Sequence, residues 1–124
     1  MFMLACRAYL QLIRMELYLA RGDFAAMYER VRRVQLRKRA ESPEATEAIC
    51  RAVDIACIWY WKQVRCLHRS AATTCLLKRQ GLPARMVIGV QGAPFRAHAW
   101  VELEGRVVND KPYMRDIYSV LDQC

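Results

Sequence analysis

The sequence has no long uninterrupted apolar stretch. The nearest is Met1–Ala20, which Arg7, Gln11, Arg14 and Glu16 interrupt along its length. A membrane span needs about 20 predominantly apolar residues, and a secretion signal needs a basic, apolar and small-residue order that is missing here. We therefore expect an amphipathic helix packed on protein, no membrane span and a cytoplasmic location.

Paired cysteines are also missing, although the chain has six cysteines. It has no C-x-x-C motif, the spacing typical of zinc sites. Cys50 and Cys57 lie seven residues apart in a segment with a helical pattern, which argues against a disulfide framework. We expect reduced cysteines that mostly serve as small core side chains, and neither a metal nor a cofactor.

Acidic residues are few, since 12 Asp and Glu against 20 Lys and Arg give a formal net charge of +8. The basic residues concentrate in Arg30–Arg39 (RVRRVQLRKR). Such a run can indicate nucleic-acid binding, but no recognition-helix motif or interleaved aromatic residue accompanies it. A solvated helix face, or a docking surface for an acidic protein or peptide, is the better interpretation, and we predict no nucleic-acid partner.

The chain has 124 residues, of which 55% are apolar, and this suits a single folded domain, residues 1–124. Its first half has helical patterns. In Met1–Ala20 the apolar positions that recur near the 3.6-residue period are Leu10, Ile13, Leu17 and Tyr18. Asp23 predicts the cap of a second helix, whose apolar face is Phe24, Met27, Val31 and Val34.

Ser42-Pro43-Glu44 predicts the start of a third helix, with a cap, a proline at the first position and an acid in the first turn. Its expected buried residues are Ala45, Ile49, Ala52, Val53, Ala56 and Tyr60. A fourth helix should begin near Cys66 and end at Gly81, since Pro83 prevents its continuation. Its expected packing face is Leu67, Ala71, Thr74 and Cys75.

Strand patterns follow in Arg85–Val90, Ala97–Glu102 and Arg106–Asp110, with a turn around Glu104-Gly105 between the last two. Helices first and an antiparallel sheet second predict an α+β fold.

Cys66, His98 and Asp110 are the candidate catalytic residues, 32 and then 12 residues apart, in CLHRS, AHAW and VVND. A thiol, an imidazole and a carboxylate in this order fit a cysteine nucleophile, its general base and the group that orients the base. A helix N-terminus at Cys66 would favour an anionic sulfur, and its backbone N–H could face an oxyanion. Arg65 and Arg69 would add positive potential.

The strand pleat places His98 on one face with Trp100 and Glu102. A plain two-residue turn after β-strand residue 103 would point Asp110 away from His98. A three-residue loop over 103–105 would place the two opposite each other, about 5 Å apart between Cβ atoms. The same register would pair Glu102 with Arg106, so we predict that loop or an equivalent bulge.

Ordinary structural roles compete with this interpretation. A lone cysteine is most often a core residue, a strand histidine is most often structural, and an aspartate after a strand usually caps a turn. His68 is a rival base, but two positions after Cys66 it projects about 200° away around the helix, so we expect it to be exposed. Core packing is the default role of the aromatic residues, and a share in a substrate groove is the alternative, for Trp59, Tyr60, Trp61, Phe95 and Trp100.

The stretch CLHRSAATTCLLKRQGLPARMVIGVQGAPFRAHAWVELEGRVVND, residues 66–110, resembles a known family. It is similar to the protease part of lasso-peptide maturation B proteins, a branch of the transglutaminase-like cysteine-protease superfamily. The most specific motifs are C-L-x-R-S at a helix start, R-x-G-L-P-A-R before the first strand, and P-F-x-A-H-A-W-V-E.

The resemblance implies a papain/transglutaminase-like fold in which Cys66 is the nucleophile, His98 the base and Asp110 the orienting acid. It implies removal of the leader from a ribosomally made precursor peptide, often with a threonine just before the last leader residue. The implied partners are that precursor, a separate leader-recognition protein and an asparagine-synthetase-like lasso cyclase. About 65 residues of helical pattern before Cys66 lead us to expect the split form of the family, without a fused recognition domain. Two alternatives remain open, an acyltransferase with the same site and a catalytically silent binding or scaffold subunit.

Overall fold

The computed structural model describes residues 2–36, 43–92 and 95–124. The elements in these ranges are α1 (Phe2–Ala20), α2 (Phe24–Arg33), α3 (Pro43–Trp59), α4 (Cys66–Arg79), β1 (Ala84–Gln91), β2 (Arg96–Leu103), β3 (Arg106–Val107), α5 (Met114–Ile117) and β4 (Ser119–Gln123). The fold is α+β, as predicted. Across the described residues, no helix combines the length and apolar character that crossing a membrane requires.

The predicted ends of α2 and α4 are confirmed. Asp23 caps α2, since its Oδ1 accepts a hydrogen bond of 3.0 Å from the backbone N–H of Ala26. α4 begins at Cys66 and is followed by Gly81 at φ +87°, the left-handed conformation that favours glycine after a helix. The predicted cap of α3, Ser42, lies outside the described residues.

The predicted faces of α3 and α4 are also buried. In α3 and just after it, the buried members of the predicted set are Ile49, Ala52, Val53, Ala56 and Tyr60, while Ala45 packs against the core as a partly buried residue. α4 is buried more widely than its pattern predicted, since every residue from Ser70 to Leu77 is buried. It is the central element of the core, since α1, α3, β1 and β2 all pack against it.

α1 buries a different face from the predicted one. Its buried residues are Ala8, Gln11, Leu12 and Met15. Of the predicted residues, Leu10 and Leu17 are 56% and 55% exposed and Ile13 is 37% exposed, while Tyr18 is partly buried and packs against the core. Apolar residues cover almost the whole circumference of this helix, so their periodicity could not select the face that meets the core.

The predicted basic helix end at Arg30–Arg39 is only partly helical, because α2 ends at Arg33. Arg32 and Arg33 both pair with Glu29, at 2.8 Å and 3.2 Å, so part of this charge is neutralised within the helix. Residues 37–39 of the run lie outside the described residues.

The sheet has the strand order β3-β2-β1-β4, and its neighbouring strands are antiparallel. β1 and β2 pair along their whole lengths, from Ala84 opposite Leu103 to Gln91 opposite Arg96. α4 packs on one face of the sheet, where Ser70 Oγ donates a hydrogen bond of 3.1 Å to the carbonyl of Ala99.

The chain after Asp110 has structure that we did not predict, namely α5 and β4. β4 is an edge strand that pairs with β1, and its register shifts between Ile88 and Gly89. Lys78 Nζ fixes this terminus to α4 by donating a hydrogen bond of 3.1 Å to the carbonyl of Cys124. The returning chain brings Tyr118 onto the face of the sheet that carries His98.

Candidate active site

Cys66 occupies the first position of α4 and is partly exposed. The first N–H groups of a helix have no partner within it, so the sulfur lies beside the positive end of the helix dipole. Ser70, four residues later, shares the helix face of Cys66 and contacts β2 at Ala99, the neighbour of His98. Cys66 therefore lies one helical turn from a direct contact with the histidine strand. Among the described residues its sulfur makes no hydrogen bond.

The hairpin between β2 and β3 has a two-residue turn, so our prediction of a three-residue loop is wrong. Leu103 pairs with Arg106 and Glu102 with Val107. Both turn residues have positive φ, +52° at Glu104 and +80° at Gly105, as in the two-residue turns that match strand twist. The predicted ion pair between Glu102 and Arg106 is therefore absent.

The paired residues of β2 and β3 show no bulge either, but Asp110 nevertheless contacts His98, and the hydrogen-bond pattern changes just after β3. Val108 N–H still donates to the carbonyl of Val101 at 3.0 Å. The reciprocal N–H of Val101 instead donates to the side chain of Asn109, with 2.8 Å to Oδ1. A side-chain amide thus replaces a backbone carbonyl, and the chain leaves the ladder one residue before Asp110.

His98 and Asp110 form a close pair, with 2.6 Å between Nε2 of the imidazole and Oδ2 of the carboxylate. A carboxylate only accepts hydrogen bonds, so Nε2 carries the proton and Nδ1 is the nitrogen that can take another. The second carboxylate oxygen, Oδ1, accepts from the backbone N–H of Lys111 at 2.8 Å. Both oxygens of Asp110 are therefore oriented.

Several opposing influences act on the pKa of Asp110. Partial burial is the largest and raises it, but the hydrogen bonds from His98 and from Lys111 N–H lower it, and the electrostatic effects of His98 and Arg69 lower it further. The net result is a pKa below the ordinary value of an aspartate. Asp110 is thus an anion at neutral pH. Arg69 itself pairs with Asp54 of α3, so its charge is shared between two carboxylates.

Two aromatic rings, which also contact each other, pack beside the imidazole of His98. The ring centroids of His98 and Trp100 are 6.1 Å apart, and those of His98 and Tyr118 are 5.3 Å apart, with interplanar angles of 26° and 25°. Trp100 is completely buried, and its indole N–H donates a hydrogen bond of 2.8 Å to Glu102 Oε2. The predicted common face of His98, Trp100 and Glu102 is confirmed.

Glu102 carries a buried charge that is fully paired. Its two oxygens accept hydrogen bonds of 2.8 Å and 2.9 Å from Arg115, next to the bond from Trp100. The bond from Arg115 is the largest influence on the pKa of Glu102 and lowers it, against the opposing effect of burial. Arg115 of α5 is therefore connected, through Glu102, to Trp100 beside His98.

Gly89 faces His98 across the β1–β2 pair, where a larger residue does not fit. A Cβ at this position would lie 2.7 Å from the ring of Trp100 and 2.7 Å from Cβ of Tyr118. We expect Gly89→Ala to lower the free energy of unfolding by about 1–3 kcal/mol, the usual cost of overpacking, and to displace the rings beside His98. Gly92→Ala is the matched control, since its Cβ would meet nothing within 4 Å. Urea unfolding of both variants checks this, and equal midpoints would contradict it.

Asn109 is a positioning residue that the sequence pattern did not reveal. Its Oδ1 accepts a hydrogen bond from Val101 N–H, and its Nδ2 donates a hydrogen bond of 3.2 Å to Ser70 Oγ. It thereby joins α4, β2 and the segment that carries Asp110. An asparagine before the aspartate was the available signal, because asparagine side chains often replace backbone groups where a strand ends.

Asn109→Ala is expected to lower the free energy of unfolding by about 1–3 kcal/mol, because Val101 N–H loses its acceptor in a part-buried position. Ser70→Ala keeps that hydrogen bond and is expected to cost less. Thermal or urea unfolding of the two variants measures the difference. A larger loss for Ser70→Ala would contradict the role that we assign to Asn109.

His68 is buried, with 2% exposure, so our expectation of an exposed residue is wrong. Its Nε2 donates a hydrogen bond to the carbonyl of Leu12 in α1, and its Nδ1 lies 3.6 Å from Glu16 Oε2. Burial is the largest influence on the pKa of His68 and lowers it. Other elements pack against more than one side of α4. His68, on the side away from Cys66, therefore contacts α1 rather than solvent.

The aromatic residues next to Cys66 depart in part from the expected core role. Tyr60 is buried, but Trp59 and Trp61 are 77% and 71% exposed. Phe95 is 75% exposed. The described residues contain no group of three or more His, Cys, Asp and Glu side chains placed to hold a metal ion.

Comparison with known proteins identifies the family. A stretch of 56 residues, 45% of this chain, is 46% identical to the microcin J25-processing protein McjB of Escherichia coli, and it spans 27% of the length of that protein. No solved structure matches the chain. The profile of the transglutaminase-like superfamily matches residues 9–123. Since this match leaves out only eight residues at the start and one at the end, the chain belongs to the transglutaminase-like superfamily.

Proposed function

We propose that this protein is a cysteine peptidase that removes the leader from a lasso-peptide precursor in the cytoplasm. The observation that carries the proposal is the 2.6 Å pair of His98 and Asp110 beside α4, whose first residue is Cys66. An imidazole oriented by a carboxylate is the arrangement that activates a thiol or hydroxyl nucleophile. The superfamily membership and the identity to a microcin-processing protein support the same choice.

In the proposed reaction, His98 Nδ1 takes the thiol proton and the sulfur of Cys66 attacks the scissile carbonyl carbon. The new C–S bond forms a tetrahedral intermediate, whose oxygen can accept from the Cys66 N–H at the start of α4. His98 then gives the proton to the departing amine as the C–N bond breaks. The leader is left as a thioester on Cys66.

Water completes the reaction. His98 takes a proton from the attacking water, the C–S bond breaks, and the sulfur departs and recovers a proton. The leader is released as a carboxylate. Asp110 remains ionised throughout and holds the Nε2–H side of the ring, so that Nδ1 stays directed to the reaction.

The proposed partners are those that the resemblance to lasso-peptide maturation B proteins implies. The precursor peptide is the substrate, a separate leader-recognition protein presents it, and an asparagine-synthetase-like cyclase consumes the newly exposed core-peptide amine. The reaction as written needs no metal or cofactor.

The direct test is mass spectrometry of a candidate precursor from the neighbouring genes, incubated with its recognition protein and this protein. Hydrolysis gives two products whose masses sum to that of the precursor plus one water. The acyltransferase alternative gives instead an amide of the leader with an added amine such as hydroxylamine or a lysine peptide. A silent scaffold subunit gives neither product, and this result with an authentic precursor would reject the peptidase.

Alkylation gives a second test that needs no substrate. We expect iodoacetamide at pH 7 to modify Cys66 at least about tenfold faster than the exposed Cys6, because Cys66 begins α4 and, in the proposed reaction, gives its proton to His98. Burial raises the pKa of Cys50 and of Cys75 to about 11, so both should resist. Peptide mapping by mass spectrometry gives all the rates from one sample. Equal rates at Cys66 and Cys6 would show that the thiol is not activated.

A further inference from the structure

α1 carries an apolar stripe on its solvent side, distinct from the face that it buries. The outer stripe consists of Met3, Cys6, Leu10, Ile13 and Leu17. All five residues are exposed, including Met3 at 73%, Leu10 at 56% and Leu17 at 55%. Their spacing of three and four residues in alternation is the a/d pattern of helices that pair along a seam. The stripe from residue 3 to residue 17 is about 21 Å long.

A row of positive charge follows one flank of the outer stripe. Arg7 and Arg14 are exposed, lie seven residues apart and hold the same position relative to the seam, and Arg21 continues the series just after α1. Within the described ranges neither Arg7 nor Arg14 forms an ion pair. The only acid of α1, Glu16, is on the other flank and pairs with Lys62 of the α3–α4 connection.

A groove beside this flank combines both kinds of side chain. It has a volume of about 290 Å³ and lies between α1 and α4. Arg7, Arg14 and Arg79 contribute its basic groups, and Leu4, Leu10 and Leu76 its apolar ones. A surface of this composition fits a partner that presents apolar and acidic side chains together.

We propose that the outer stripe of α1 binds an amphipathic helix of a partner protein, with aliphatic residues at heptad spacing and an acidic row along one flank. The acidic row faces Arg7 and Arg14, and the aliphatic residues cover Leu10, Ile13 and Leu17. This interface is separate from the site at Cys66, and its existence does not depend on the proposed peptidase activity.

The charges favour such a partner over a second copy of this chain. In an antiparallel pair of α1 helices, the arginine flanks would face each other and repel. In a parallel pair, the arginines would face Tyr9 and Glu16, and the carboxylate of Glu16 is already paired with Lys62. An acidic flank on a different helix meets neither difficulty.

The test uses two fluorescein-labelled 21-residue peptides with the same leucine and isoleucine seam, one with glutamates and one with lysines on the flank. Fluorescence anisotropy with the whole protein should show at least about tenfold tighter binding of the glutamate peptide. The double variant Arg7→Glu/Arg14→Glu should reverse this preference. Leu10→Gln/Leu17→Gln should weaken the binding of both peptides. Arg51→Glu, an exposed charge reversal on α3, is the control and should change nothing.

Any of four results would overturn the proposal. The first is equal binding of the two peptides, and the second is an unchanged preference in the charge-swapped variant. The third is a dimer in light scattering that the two glutamine substitutions abolish, which would make a second copy the occupant. The fourth is binding to vesicles of three parts phosphatidylcholine and one part phosphatidylserine without binding of the glutamate peptide, which would assign the stripe to a membrane surface. Circular dichroism checks that each variant is folded.

Discussion

Replacing Cys66 with alanine is expected to lower the rate of precursor cleavage by about 10³-fold or more, because the covalent step loses its nucleophile. The side chain is partly exposed and makes no hydrogen bond among the described residues, so the melting temperature should change little. The measurement is the initial rate of leader release by mass spectrometry, with thermal unfolding of the same preparation.

Cys6→Ala is the matched control for this variant, because Cys6 is an exposed thiol in α1 away from the site. It should cleave at the wild-type rate. Cys66→Ser adds a second comparison, since a hydroxyl in the same place is a much weaker nucleophile and should also be nearly inactive. Cleavage by Cys66→Ala at the wild-type rate would remove Cys66 from the mechanism. The acyl-enzyme supplies independent support if the intact protein gains the mass of the leader less one water.

The parts of the site that local patterns define could be predicted from the sequence. The sequence pattern predicted a helix that begins near Cys66 and ends at Gly81, and α4 does begin at Cys66. The common face of His98 and Trp100 follows from the two-residue period of a strand. These features depend on residues close together in the chain, and the structure therefore agrees with them.

Features that depend on distant packing could not be predicted in the same way. His68 is buried because α1, more than 50 residues earlier, packs against α4. Tyr118 stacks on His98 because β4 returns to the far edge of β1, a pairing that no short-range pattern indicates. The face of α1 was wrong for a related reason, since an almost wholly apolar helix leaves its orientation to its neighbours.

The contact between Asp110 and His98 was predicted correctly, but the three-residue loop from which we inferred it is wrong. A regular hairpin with the observed turn at Glu104-Gly105 would point Asp110 away from His98. In the structure, the side chain of Asn109 takes the place of a ladder carbonyl, and the next residue, Asp110, contacts His98. Sequence reasoning can state that the regular ladder must change before Asp110, but the identity of the residue that changes it came from the structure.

Asp110→Ala is expected to lower kcat/KM for precursor cleavage by roughly 10²–10⁴-fold, because His98 loses both the acceptor that orients it and the charge that stabilises the imidazolium. Asp110→Asn separates these two contributions. An amide oxygen in the same place can still accept from Nε2–H, so orientation survives while the negative charge is lost. We therefore expect the asparagine variant to retain more activity than the alanine variant.

The controls for the Asp110 variants use the same neighbourhood. Asp116→Asn removes an exposed carboxylate from α5 and should leave cleavage unchanged. The alkylation rate of Cys66 should fall in Asp110→Ala, since a histidine that is no longer held in place activates the thiol less, and this readout does not depend on precursor binding. Wild-type cleavage and wild-type alkylation in Asp110→Ala would mean that the 2.6 Å contact with His98 is structural, as such pairs often are in proteins. If the folded Asp110→Ala variant loses both cleavage and the fast alkylation of Cys66, the contact between Asp110 and His98 supports the reactivity of the thiol.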